Sequence, residues 1–212
     1  MKINDEMYDE IFAEKENKSE VITLNKNSAW SIIYDWCSCI FPALICVVLL
    51  LTFAFRLIKV KGTSMESTLI DTDRVIVTNM FYTPKDGDIV VISHAEEYEE
   101  PLIKRVIATE GQTLKIDFEK GEIYVDGILL NEDYIQGETI EGDSQIPEVI
   151  PEGKVFVLGD NRTVSLDSRY QKVGLIDTTS IIGKAQIDLI PHTYNEYGQR
   201  RLDFSKIRYL YD

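Results

Sequence analysis

Beyond residue 46 the chain has no cysteine; its three, Cys37, Cys39 and Cys46, all fall in or beside one apolar stretch. The remainder can therefore form no disulfide, and cysteine usage says nothing about redox compartment. Histidine is nearly absent too. His94 and His192 stand alone in sequence, so no metal-ligand spacing exists and no metal or other cofactor is expected. Positive charge is also short: 22 basic against 36 acidic side chains give a net charge of −14. Residues 56–212 hold 18 of those basic and 28 of the acidic groups, a balance that argues against nucleic acid as a partner. No internal repeat and no low-complexity run is visible.

Charge itself is missing from residues 36–55, which include the run Ile45-Cys46-Val47-Val48-Leu49-Leu50-Leu51. As a helix these residues would be roughly 30 Å long, about the thickness of a bilayer's hydrocarbon core. A buried core helix rarely lacks a polar face for so long. A cleaved secretory signal fits poorly, because the preceding segment is long and acidic and no small-x-small site follows before Arg56. The expectation is an uncleaved anchor over residues 31–55, in which lipid tolerates Pro42. Residues 1–30 read as a polar, flexible tail and residues 56–212 as one domain. Lys18 and Lys26 flank the anchor on one side, Arg56, Lys59 and Lys61 on the other, so flanking charge does not fix orientation.

The domain reads as mostly β. Strand patterns occur at residues 74–78, 88–92, 101–107, 122–125, 128–130, 154–158 and 181–189, the last with a bend at Gly183. Asp126-Gly127 between two apolar runs predicts a tight hairpin, since a type I′ turn needs positive φ at both centres. Antiparallel sheets, packed or partly closed, follow. Residues 131–152 read as a long acidic loop, and the chain from His192 onward as a polar, aromatic end. Met80-Phe81-Tyr82 is either an interfacial patch or a packed turn.

Three segments carry chemistry. Ser64 follows Gly62 and Thr63 just past the anchor; Gly62 allows a substrate backbone to come close. Lys104 lies in Leu102-Ile103-Lys104-Arg105-Val106-Ile107, where alternation puts Leu102, Lys104 and Val106 on one face. If that face is the core, the ammonium loses hydration and its pKa falls towards roughly 8, so the neutral amine could take the Ser64 proton. Gly159-Asp160-Asn161-Arg162-Thr163-Val164-Ser165-Leu166-Asp167-Ser168-Arg169 crowds polar groups into a loop after an apolar strand; Asp167 and Arg169 could pair, and Ser165 could bond a lysine amine. Read singly, Ser64 could cap a turn, Lys104 could face solvent and the loop could be merely solvated.

In combination these motifs resemble the bacterial type I signal peptidases over about residues 41–190. Carrying the resemblance are Ser64-Met65 with Thr68-Leu69, Asp73-Arg74-Val75, Gly87-Asp88-Ile89-Val90, Lys104-Arg105-Val106-Ile107 and the loop from Gly159 to Arg169. The resemblance implies a β-fold of the signal peptidase type behind one N-terminal transmembrane helix. It implies a serine endopeptidase that removes signal peptides from exported preproteins, whose small residues enter two shallow apolar pockets in an extended pose. Ser64 would be the nucleophile and, through its N–H, an oxyanion donor; Lys104 would be the general base, oriented by Ser165. Asp160 with Arg105, and Asp167 with Arg169, would be structural pairs near the site, and Met65 and Gly62 would line the cleft. Partners would be exported preproteins and the lipid bilayer, with the N-terminus cytoplasmic and the catalytic domain extracytoplasmic. Where many relatives supply a serine hydroxyl to the oxyanion, this chain has Gly62; the family's usual proline is Ser67, and its usual Gly-Asp is Gly111-Gln112.

Other readings remain at this point. They are a related serine-lysine peptidase such as a self-cleaving repressor, a Ser-His-Asp hydrolase using His94 or His192, and a non-enzymatic assembly or binding factor, for example in pilus assembly.

Overall fold

A computed structural model describes residues 29–80, 82–195 and 197–210. The tail expected over residues 1–30 lies almost wholly outside the described residues. Two compact units meet in sequence between Thr52 and Phe53.

The first unit holds all but the last two residues of helix α1, Ala29–Ala54, with Pro42 inside it and all three cysteines exposed. Its window Trp30–Leu49 is long and apolar enough to cross a membrane and is unburied by the rest of the protein. The helix runs one residue short of the expected end, because Phe55 opens a strand.

The second unit is antiparallel β. Its main sheet contains β1 (Phe55–Lys59), β2 (Arg74–Thr78), β3 (Ile89–Ile92), β4 (Leu102–Thr109), β8 (Lys154–Leu158), β9 (Ile176–Asp177), β10 (Ile181–Ile190) and β13 (Arg208–Tyr209). The order is β1-β2-β10-β3-β4-β8-β9, with β13 added to β10. β10 reaches three partners because it is long and irregular. Its first half pairs with β3 and its second half with β2, with a register shift between Ile181 and Gly183 where a bend was expected. Beyond the end of β3, β13 pairs with β10 at Ile187 and Asp188.

A smaller sheet holds β5 (Leu114–Asp117), β6 (Glu122–Val125) and β7 (Ile128–Leu129). The β6–β7 turn is the expected one: Asp126 and Gly127 have φ of 52° and 77°. The end that read as polar and aromatic contains a hairpin of β11 (His192–Tyr194) and β12 (Arg200–Leu202).

Burial explains the strand patterns. All four residues of β3 are buried, Val90 and Ile92 in one core cluster and Ile89 and Val91 in another. Such a strand reads as a continuous apolar run because both its faces are covered. Leu102 and Val106 of β4 belong to the same cluster as Val90, so the face they share with Lys104 is a core face. A third cluster joins Phe156 and Leu158 of β8 to Leu114 and Ile123 of the smaller sheet. Residues 131–152 contain no strand, as expected, but they are not merely solvated: Thr139 and Ile150 are buried. Of the Met80-Phe81-Tyr82 run, Tyr82 donates to Asp88 Oδ2 at 2.7 Å and Met80 is exposed; Phe81 lies outside the described residues.

Candidate active site

Ser64 sits in a tight turn between β1 and β2. Backbone bonds from Thr68 N to Met65 O (2.9 Å) and from Leu69 N to Met65 O (2.7 Å) close it, and Leu69 anchors it in the core. The Ser64 carbonyl accepts from Asn161 N at 3.0 Å, which ties the turn to the polar loop after β8. Lys104 comes from the middle of β4, opposite Val90 of β3. Its Nζ lies 2.8 Å from Ser64 Oγ, to which it donates, and the residue is only 2% exposed. Burial is the first cause, and it lowers the Lys104 pKa to about 8; the charges of Asp167 and Asp160 push the other way but do not overcome it.

Two buried ion pairs frame this contact. Arg105 grips Asp160 with Nε to Oδ1 at 2.9 Å and Nη2 to Oδ2 at 2.8 Å, while its third donor reaches Gly87 O at 2.9 Å. Its guanidinium lies 3.8 Å from the centre of the Tyr134 ring, and Thr68 Oγ1 also donates to Asp160 Oδ2. Arg169 grips Asp167 at 2.8 and 3.0 Å, and Asp167 Oδ2 accepts from Gly159 N at 3.1 Å. These forks satisfy carboxylates that would otherwise be costly to bury.

The dyad opens into a cleft of about 540 Å³ lined by Gly62, Ser64 and Lys104 with apolar side chains including Ile58, Leu102, Val164 and Leu166. Met65 is not on its wall. That side chain is 1% exposed and belongs to the core cluster of Val60, Leu69, Val75 and Val77. Gly62 does face the cleft, but a Cβ there would meet nothing within 4 Å; the glycine serves a φ of +89° rather than close packing. Ser165 is in place but unbonded: its Oγ is buried without a hydrogen-bond partner among the described residues, so the expected bond to Lys104 is not made.

Neither histidine reaches Ser64. His94 bonds to Ser93 Oγ and Ser180 Oγ, and His192 to Asp73. A Ser-His-Asp arrangement around Ser64 is therefore absent among the described residues.

Comparison with known proteins decides the family. The sequence profile described as "Signal peptidase, peptidase S26" matches residues 33–190. The chain belongs to this signal peptidase family. It is accordingly a peptidase, a hydrolase. It is 36% identical over 172 residues to signal peptidase I P of Bacillus subtilis subsp. natto, covering 76% of this chain and 91% of that one. It is 34% identical to signal peptidase I of Bacillus licheniformis, covering 84% and 96%, and 34% identical to signal peptidase IB of Staphylococcus aureus strain MRSA252, covering 78% and 94%. A crystal structure of a signal peptidase I from Enterococcus faecalis V583 shares 27% identity, with a TM-score of 0.42 over 49% of this chain and 97% of that one.

In this family member two residues of the Gly159–Arg169 loop have contacts that the sequence did not reveal. Arg162 is 1% exposed; it bonds Glu132, donates to Thr139 Oγ1 at 2.6 Å and to Gly159 O at 3.1 Å. Glu132 and Thr139 lie in the stretch read as an acidic loop, and no spacing rule joined them to Arg162. Gly159 is packed directly against the nucleophile turn. A Cβ there would lie 2.5 Å from Ser64 O, 2.5 Å from Ser165 Cβ and 2.2 Å from Ser165 Oγ. Gly159→Ala must therefore displace the turn that carries Ser64. The expected result is a loss of roughly 100-fold in cleavage rate, since a displacement of about 1 Å at a nucleophile costs that much. Rate assays beside a thermal melt check it; an active alanine variant would show that the turn yields without moving Oγ.

Proposed function

We propose that this peptidase removes N-terminal signal peptides from exported preproteins, with Ser64 as nucleophile and Lys104 as general base. The observation that carries the reading is the 2.8 Å contact between Lys104 Nζ and Ser64 Oγ inside a site where burial lowers the amine's pKa to about 8. The neutral amine takes the hydroxyl proton as Oγ attacks the scissile carbonyl. The Ser64 N–H supports the developing oxyanion. The protonated amine returns its proton to the leaving amine, and an acyl-enzyme remains. The freed Lys104 then deprotonates a water, which releases the acyl group and restores Ser64. Ser165, buried and without another partner, is assigned to hold the amine as its charge changes. The apolar cleft suits small side chains before the scissile bond, presented by an extended peptide.

The reading includes α1 as a single-pass anchor, the N-terminus cytoplasmic and residues 56–212 extracytoplasmic. It is supported by a helix of 26 residues whose apolar window leaves its side chains exposed. Anchoring confines enzyme and preprotein to one surface, which raises their encounter rate. The alternative of a non-enzymatic assembly factor has no observation in its favour, since both partners of the dyad are present and in contact.

Mass spectrometry of one preprotein incubated with the parent and with Ser64→Ala tests this. The parent should yield a single new N-terminus and Ser64→Ala at least roughly 1000-fold less of it. Near-normal processing by Ser64→Ala would refute the assignment.

A further inference from the structure

We propose that Arg200, in the hairpin beyond the family match, is a positioning residue for Ser64 and acts through the Asp71 carboxylate. This rests on Ser64 being the nucleophile.

The turn that precedes Ser64 is packed and bonded on either side of Gly62: Val60 is buried and exchanges backbone bonds with Asp73 and Thr72, and Ser64 O accepts from Asn161 N. Gly62 itself is exposed, sits at φ +89°, and has no atom within 4 Å of where a Cβ would be. At that point the turn is tied by the Gly62 amide, which donates to Asp71 Oδ1 at 2.9 Å. The other oxygen of that carboxylate is taken by Arg200, whose Nη1 pairs with Asp71 Oδ2 and also donates to Asp71 O at 3.2 Å and to Thr72 Oγ1 at 3.4 Å. One carboxylate thus bridges a guanidinium on β12 to the amide two residues before the nucleophile. The Gly62 amide first, and Arg200 next, hold the Asp71 carboxyl below the usual aspartate range.

Arg200 is not alone in this grip. Tyr194 OH donates to Glu66 Oε1 at 3.2 Å, His192 N to Asp73 Oδ1 at 2.7 Å, and Arg208 to Thr68 O. Every one of these bonds runs from residues after 190 to the turn between β1 and β2, and the family profile ends at residue 190. The C-terminal segment therefore clasps the nucleophile turn from beyond the profile match.

The Arg200–Asp71 pair is well exposed, 42% and 31% at the side chains, so it adds little to global stability. A small displacement of a nucleophile nonetheless costs rate. That contrast gives the test. Full-chain Arg200→Ala in detergent should show kcat reduced roughly tenfold, KM within about twofold and an unchanged melting temperature. Arg200→Lys should recover part of kcat, because it keeps the charge but not the planar guanidinium that spans Asp71 and Thr72. Arg200→Ala/Asp71→Ala should be no slower than Asp71→Ala alone, since the two residues act in series. A kcat for Arg200→Ala within twofold of the parent, a double variant whose losses multiply, or a rate loss that tracks melting temperature would each overturn the role. Ser64→Ala is measured alongside. If it is inactive while Arg200→Ala is fully active, only the positioning role fails; if it is active, the reading beneath both fails.

Discussion

Lys104→Met is expected to abolish preprotein cleavage while making the folded protein more stable at neutral pH. The two effects share one cause. Burial lowers the Lys104 pKa from 10.5 to about 8, so at pH 7 the folded state holds a charged amine in a poorly hydrated place. That shift corresponds to about 3 kcal/mol of cost. Methionine keeps the apolar stem and removes the charge. Below pH 8 the amine is charged in both the folded and the unfolded chain, and the full cost is present. Between about pH 8 and 10.5 the unfolded chain binds the extra proton and the folded chain does not, so the parent gains stability as pH rises. The advantage of Lys104→Met should therefore be largest below pH 8 and fade towards pH 10.5, as read by denaturant titration at several pH values. In the parent, kcat/KM should rise with pH and level off above about pH 8, where the amine is neutral. A parent whose activity falls over pH 7–9, or a Lys104→Met variant that still cleaves, would rule out the amine as base.

Arg105→Ala should be the most damaging single change to folding near the site. Asp160 is fully buried, and its carboxylate is satisfied chiefly by the Arg105 fork. Removing the guanidinium leaves that charge in the core, at a cost of about 3–5 kcal/mol. In a unit of this size the unfolding midpoint should drop by roughly 10 °C. Arg105→Lys should lose less, keeping charge but not the bidentate geometry. Calorimetry of the three proteins checks the order. Equal midpoints for parent and Arg105→Ala would mean that Asp160 finds another partner or takes up a proton.

Much of this was legible in the residues because it was local. Alternation placed Lys104 between Leu102 and Val106, and both lie in one core cluster. Asp126-Gly127 fixed its hairpin through backbone sterics alone. Gly183 marked the irregularity that lets β10 change partners. What escaped depends on contacts between distant segments. β1 is mostly exposed and gains its form by pairing with β2, so it has no alternation of its own. The hairpin of β11 and β12 is likewise defined by its partner strands and by bonds to the turn before β2. Met65 reads as a cleft residue beside Ser64, yet its direction is set by the turn's closure and the apolar residues beneath it. Arg162 and Glu132 are 30 positions apart, and no spacing rule joins them.

Lys104 and Arg105 are neighbours in β4, paired to Val90 and Ile89 of β3. In a strand, neighbours face opposite ways, so slipping the pairing by one residue exchanges which cation meets the serine. A guanidinium never gives up its proton near neutral pH and could not serve there. A misthreaded sheet would thus be chemically inert even if compact, and recovery of peptidase activity during refolding would count only molecules whose strands have locked in the right alignment.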